Sequence, residues 1–151
     1  MADIFVEVEL DTSRVDAVFA ELIQKSSDLS PLMAQIAQML DGIKARVFRD
    51  EAAPDGIEWP ELAESTQRKK VYNGSPRGSA HKLRVMDTFF NSIGPATYGQ
   101  QFAEIASLLG EPYPSYLQTG TTRMPARPVF GLGNQDIDDV LELAKAYLTK
   151  L

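Results

Sequence analysis

The sequence predicts an α+β fold: a small antiparallel sheet packed against several helices, with a long helical region in the N-terminal half and a helix at the C-terminus. Three observations carry this. Residues 3–10 alternate with the period of two that a half-buried strand requires. Two stretches, one within residues 15–47 and one from Asp136 to Leu151, repeat apolar residues at i, i+3, i+4 and i+7. Between them, residues 96–108 read as two short extended runs divided by Gly99. At 151 residues and 44% hydrophobic content, the chain has material for one core and not two, so a single domain over residues 1–151 is expected.

The first strand sets Ile4, Val6, Val8 and Leu10 against Phe5, Glu7 and Glu9. Asp11 or Thr12 can cap the helix that follows, whose apolar face is Val15, Val18, Phe19, Leu22 and Ile23. Residues 26–28 interrupt it. Ser30 followed by Pro31 reads as a new helix start, the hydroxyl serving free N–H groups and the ring losing only a donor that had no partner. The stripe of this longer helix is Leu32, Met33, Ile36, Met39, Leu40, Ile43 and Val47, with Gln35, Gln38, Asp41 and Lys44 on the other side. Gly42 weakens it by roughly 1 kcal/mol relative to alanine.

Residues 52–56 (AAPDG) have turn composition, and Pro60 can open a short helix through Leu62 and Thr66 towards Lys70. Residues 73–80 (NGSPRGSA) lack any large apolar side chain and read as a mobile loop in the isolated protein. Leu83, Met86, Phe90 and Ile93 then fit a helical stripe, which Gly94-Pro95 must end. In the hairpin beyond, Phe102, Glu104 and Ala106 alternate with Ala103, Ile105 and Ser107. The last helix places Ile137, Val140, Leu141, Ala144, Leu148 and Leu151 on one face; Asn134 is its expected cap, and the acids of its first turn complement the backbone dipole.

Composition excludes several classes of function. A net charge of −6 and a pI near 4.8 argue against a general binder of nucleic acid or anionic membranes, which need a positive field. Without cysteine there are no disulfides, thiolate nucleophiles or cysteine-held metals, which suits a chain made in a reducing cytoplasm. No apolar run approaches the ~20 residues of a membrane span, and the acidic start is unlike a signal peptide, so neither export nor membrane insertion is expected.

Charge is unevenly spread. Residues 65–86 hold Arg68, Lys69, Lys70, Arg77, Lys82 and Arg84 and no acid, a formal +6 on a chain of net −6, so the remainder carries −12. Three readings stay open: a solvated loop, head-to-tail pairing with the acidic surface of a neighbouring subunit, or contact with a phosphate backbone.

No catalytic, metal or cofactor site is expected. His81 is the one histidine, so it has no second imidazole for a metal or nuclease centre. Asp136, Asp138, Asp139 and Glu142 lack the spacing of a calcium loop. No Gly-x-Ser-x-Gly turn surrounds a serine, and Gly131-x-Gly133 lacks the lysine of a phosphate loop. Met33, Met39 and Met86, at helical spacing, read as core fillers. Pro125 and Pro128 restrict themselves and their predecessors to extended geometry, which predicts a stiff arm bearing Arg123 and Arg127, anchored by Val129 and Phe130. Such an arm either simply connects two elements or presents arginine to an acidic patch of a neighbour.

The chain also supplies Trp59, Leu62, Thr66 and Lys70; then Leu83, Ser92 and Ile93; then Tyr113, Tyr116, Gln118 and Gly120; and finally Ala126, Arg127, Pro128, Phe130 and Gly131, the last group within the run ARPVFG. In that order, over roughly residues 55–150, it resembles the virion-morphogenesis and tail-completion proteins of long-tailed, Mu-like bacteriophages. It departs from their pattern at Asp87-Thr88-Phe89, where the family often has glycine, and at Leu117, often histidine there. The resemblance implies a non-enzymatic structural protein, made in the host cytoplasm and residing in the tail or neck of the virion, that completes the tail for head-tail joining. Its implied partners are its own copies in a ring, with a hexamer as one candidate order, and the tail tube, tail terminator or head connector proteins. The expected contact residues are Arg68, Lys69, Lys70, Arg77, Lys82, Arg84, Arg123, Pro125, Arg127, Pro128 and Phe130. The competing expectation is a small DNA-binding or packaging-associated module that uses residues 65–86.

Overall fold

The computed structural model describes residues 13–61, 88–109 and 113–151. In these, five helices and one hairpin follow in the order α1 (Ser13–Lys25), α2 (Ser30–Asp50), α3 (Thr88–Ser92), β1 (Thr97–Tyr98), β2 (Ala103–Glu104), α4 (Tyr113–Thr119) and α5 (Asn134–Thr149). The fold is α+β and rich in helix. Helix α5 lies along α1 and against α2, and the hairpin crosses α2. The sheet is antiparallel, with Thr97 opposite Glu104 and Tyr98 opposite Ala103, and an isolated bridge between Ile93 and Ser107 carries the pairing further. The expected alternation holds along the second run: Ala103, Ile105 and Ser107 are half-buried and Phe102, Glu104 and Ala106 exposed.

Helix α2 organises the interior. Its first half, with Leu32, Met33 and Ile36, packs with Leu22, Leu29, Val140 and Ala144. Its second half, with Ile43, Val47 and Phe48, packs with Trp59, Phe89, Ile93, Leu117 and Val129. Met39 and Leu40 touch both clusters, so apolar contact is continuous along the helix. Phe48, which the stripe omits, is the hub of the second cluster: its ring meets Trp59 edge-on at 5.7 Å, Phe90 edge-on at 4.9 Å and Phe89 at 6.0 Å. Helix α3 buries Phe89 as well as packing Phe90, because Phe48 reaches both rings.

Several sequence expectations change. Ile23 is 46% exposed, because α1 turns only the narrow Val15–Leu22 side towards α5. Helix α2 is not capped by Ser30: Leu29 holds the cap position, and the Asp28 carboxylate, two residues before Ser30, accepts from the Ser30 backbone N–H at 3.0 Å and from its hydroxyl. Asp41 and Lys44 are not on a free polar face, since the chain entering the hairpin lies over them. Asp41 Oδ1 accepts from Ala96 N at 2.9 Å, while Lys44 donates to Ile93 O at 2.6 Å with its ammonium 4.2 Å from the Phe90 ring centroid. Gly133, not Asn134, holds the cap position of α5. Residues 113–119 form a helix that periodicity did not signal, and Leu151, expected on the apolar face of the last helix, is 51% exposed. Pro60 and Glu61 are not helical, and the rest of the helix expected to Lys70, the strand at residues 3–10, the loop at 73–80 and the Leu83 and Met86 part of the next stripe lie outside the described residues.

Phe48→Ala should cost about 3–5 kcal/mol, the usual range for deleting a fully packed aromatic. Denaturant titration followed by circular dichroism measures this; a loss under about 1 kcal/mol would mean that Phe48 is not the hub.

Candidate functional site

Residues 120–130, which contain the expected arm at Pro125–Pro128, double back on α4. Gly120 ends that helix at φ +75°, donating to Tyr116 O at 2.7 Å, and a side chain there would meet Ala126 N at 2.8 Å, so the return strand can lie this close only over glycine. Thr121 and Met124 close a tight turn, and Thr121 Oγ1 accepts from Arg123 N at 3.2 Å. Arg123 stands exposed at the tip, with Tyr116, Thr119, Thr121, Thr122 and Pro125 exposed beside it in sequence on α4 and the turn.

The returning chain is bound back to the body by side chains. Arg127 N donates to Leu117 O at 2.7 Å. Gln118 closes the next step on three sides: Oε1 accepts from Val129 N and Phe130 N, each at 3.0 Å, and Nε2 donates to Phe130 O at 2.8 Å. Trp59 Nε1 donates to Pro128 O at 2.8 Å while its ring packs on Phe48. Arg127 differs from expectation most. It is 5% exposed, and its guanidinium donates from Nε to Pro60 O at 2.9 Å and from Nη2 to Glu61 O at 2.7 Å, so this arginine holds its own chain rather than facing outward.

A second junction orients α5. Arg46 on α2 forks onto Asp136, with Nη1 to Oδ1 at 2.7 Å and Nη2 to Oδ2 at 2.8 Å, and Nη2 also reaches Pro54 O at 3.1 Å. Asp136, third residue of α5, accepts in addition from Gly133 N at 2.8 Å. Glycine has no side chain to return that bond, and none would fit: a Cβ on Gly133 would lie 2.5 Å from Pro54 O. Burial raises the Asp136 carboxyl, but the Arg46 guanidinium and the Gly133 N–H outweigh it and hold the carboxyl below its ordinary value. The Asp136 hydrogen bond in turn raises Arg46.

Of the expected contact residues, Arg123 and Pro125 are exposed, Pro128 and Phe130 half-buried and Arg127 buried. Arg68, Lys69, Lys70, Arg77, Lys82 and Arg84, like His81, lie outside the described residues. Sequence reasoning passed over the role of Arg46, which shows no signal beyond a charge on a helix, and assigned Asp136 to the helix dipole. An acid three residues after Gly133, just before an apolar run, is half of a capping box and pointed to it. Among the described residues, no group of three or more acidic or histidine side chains is placed to hold a metal ion, and no helix is long and apolar enough to cross a membrane.

Comparison with known proteins gives two matches. The profile of the phage virion morphogenesis family matches residues 10–93. The Mu-like prophage FluMu G protein 1 of Haemophilus influenzae is 30% identical over 146 residues, covering 97% of each chain. No solved structure matches. The profile match ends at residue 93, well short of ARPVFG, and the relative extends the likeness across that run.

Asp136→Asn should destabilise the protein at pH 7 by about 2–4 kcal/mol, towards the lower end for a broken buried pair because the Arg46 side chain stays 34% exposed. The folded carboxyl lies below the unfolded value of about 3.9, so its stabilisation is complete above about pH 5 and is lost as pH falls through the folded value. The gap between wild type and variant in urea titrations should therefore narrow below about pH 4; a constant gap would contradict the assignment.

Proposed function

The chain belongs to the phage virion morphogenesis family, and from that membership we propose that it is a structural protein that assembles at the tail end or neck of the particle and completes the tail for head-tail joining. Its part in phage morphogenesis follows from the family and from the full-length relative encoded by a prophage. The observation supporting the finer reading is the way the segment from Tyr113 to Gly133 is built. Gln118, Trp59 and Arg127 hold it without a regular sheet, and what it offers outward is the turn from Thr119 to Pro125 with Tyr116 below and Arg123 at the tip.

A preformed turn of this kind suits assembly, because no ordering cost is left for the moment of contact. Arg123 supplies a planar donor for a carboxylate, and the body of the chain is acidic, so copies of the protein complement one another electrostatically. The basic run at 65–86 would reinforce the same polarity, pairing one subunit with the acidic surface of the next in a closed ring. Its neighbours in the particle would be the tail tube, the tail terminator or the head connector. The role asks for no catalysis.

Light scattering coupled to size exclusion, on the protein alone and mixed with tail and connector proteins, tests this reading. Self-association or a stable complex is expected, and Arg123→Glu should weaken it about tenfold or more, since reversing a charge at a carboxylate contact removes at least the 1.4 kcal/mol that tenfold represents. The thermal midpoint should not move, because Arg123 is exposed. A protein that stays monomeric with every partner, yet shifts phosphate-rich DNA in a steeply salt-dependent manner, would contradict assembly and favour the nucleic-acid reading.

A further inference from the structure

The loop that follows α2 is a preformed knob. Trp59 N donates to Glu51 O at 2.9 Å, Ala53 N to Ile57 O at 2.8 Å and Ile57 N to Asp55 Oδ1 at 3.0 Å, while Gly56, at φ +93°, makes the reversal. Ala52, Ala53, Pro54 and Trp59 are buried, so the base of the loop belongs to the interior. Its outer limb does not: Ile57 is 69% exposed, between the exposed Asp55 and Glu58.

One exposed isoleucine is ordinary by itself, and its surroundings give it meaning. Residues 50–61 hold five acids and no base, whereas residues 113–133, which include the turn with Tyr116 and Arg123, hold two arginines and no acid. Arg127 is buried on main-chain carbonyls, so Arg123 is the cation this segment turns outward. The two regions are also fastened to each other. Trp59 holds Pro128, Arg127 holds Pro60 and Glu61, and Pro54 lies beside Gly131. Each copy therefore carries a cationic, aromatic tip and an acidic, apolar knob at a fixed offset, and a fixed offset between two unlike surfaces is what a heterologous contact repeats from copy to copy.

Resting on the assembly reading above, we propose that the Ile57 knob is the receptor, on a second copy of this chain, for the Tyr116 and Arg123 turn. The Arg123 guanidinium would meet the carboxylates of Glu58 and Asp55, and Tyr116 would cover Ile57, an apolar centre within a charged rim. Charge complementarity chooses a second copy as the occupant, because both halves are written into one sequence. Both halves are preformed, so little ordering cost opposes the contact.

Light scattering coupled to size exclusion, with wild type and variants at one concentration, tests the pairing. Glu58→Arg and Ile57→Ser should each weaken self-association about tenfold, and the double swap Arg123→Glu with Glu58→Arg should return it to within about threefold of wild type. Thermal midpoints should stay at the wild-type value, since all three positions are exposed. The chain has no cysteine, so a second arm adds no charge: I57C and Y116C, made as separate single variants and mixed under mild oxidation, should cross-link to each other in preference to themselves. Self-association that Arg123→Glu weakens but Glu58→Arg and Ile57→Ser do not, a double swap as weak as its parts, or I57C dimers in excess of the mixed product would each overturn the pairing. A wild-type protein that binds tail or connector proteins without self-associating would overturn this inference alone and leave the assembly reading standing.

Discussion

Backbone without regular structure can be buried only where something answers its N–H and C=O groups, and in this protein side chains do so. The described sheet is one short hairpin, and the chain on either side of Trp59 and from Gly120 to Gly133 is neither helix nor strand. Yet Trp59, Val129 and Gly133 lie inside. Arg46, Trp59, Gln118 and Arg127 bring this about, each giving its donors to main-chain carbonyls or a carboxylate, and Gln118 also accepting from two main-chain amides. Among the described residues no buried side-chain nitrogen or oxygen is left without a partner. Each of these bonds adds only about 1 kcal/mol net, but leaving a buried amide or carbonyl unanswered costs more than that, so these residues are worth more as satisfiers than as attractors.

This gives physical content to the run ARPVFG, on which the sequence resemblance ends. ARPVFG is not a protruding arm. Its arginine is turned inward onto Pro60 and Glu61, its proline carbonyl accepts from Trp59 Nε1, its valine and phenylalanine amides are held by Gln118, and its glycine leads on towards α5. The tryptophan and glutamine that accompany the motif are its direct hydrogen-bonding partners. A pattern read as a surface for neighbours is, within one chain, the fastening that sets Tyr116 and Arg123 in place. In the proposed assembly contact would fall to the exposed turn, and the turn depends on the fastening.

Much of the fold was legible in the sequence. Val15, Leu22, Leu32, Met33, Ile36, Ile43, Val47, Ile137, Val140 and Ala144 were placed by helical periodicity and are buried, because burial on one face of a long helix leaves a repeating trace. The hairpin showed itself through Gly99 and the alternation from Phe102 to Ser107. What escaped was whatever depends on contacts distant in sequence. Arg46 and Asp136 are 90 residues apart, and Trp59 meets Pro128 across 69, so neither pair leaves a local pattern. Arg127 misled because arginine between prolines looks exposed until the carbonyls of residues 60 and 61 are brought beside it. Ser30 did not serve as the cap because it is the first residue of α2, with Leu29 at the cap position and its own hydroxyl turned to the Asp28 carboxylate.

The central claim is that the chain from Arg127 to Phe130 is fastened to the body through Gln118 before any partner arrives. Hydrogen exchange of the free protein, read at the Arg127, Val129 and Phe130 amides, tests it most directly. Protection close to that of the α2 core amides is expected in the wild type, and a collapse of protection at Val129 and Phe130 in Gln118→Ala while α2 remains protected. Rapid exchange at these amides in the wild-type protein would contradict the account, since it would return the segment to a free arm.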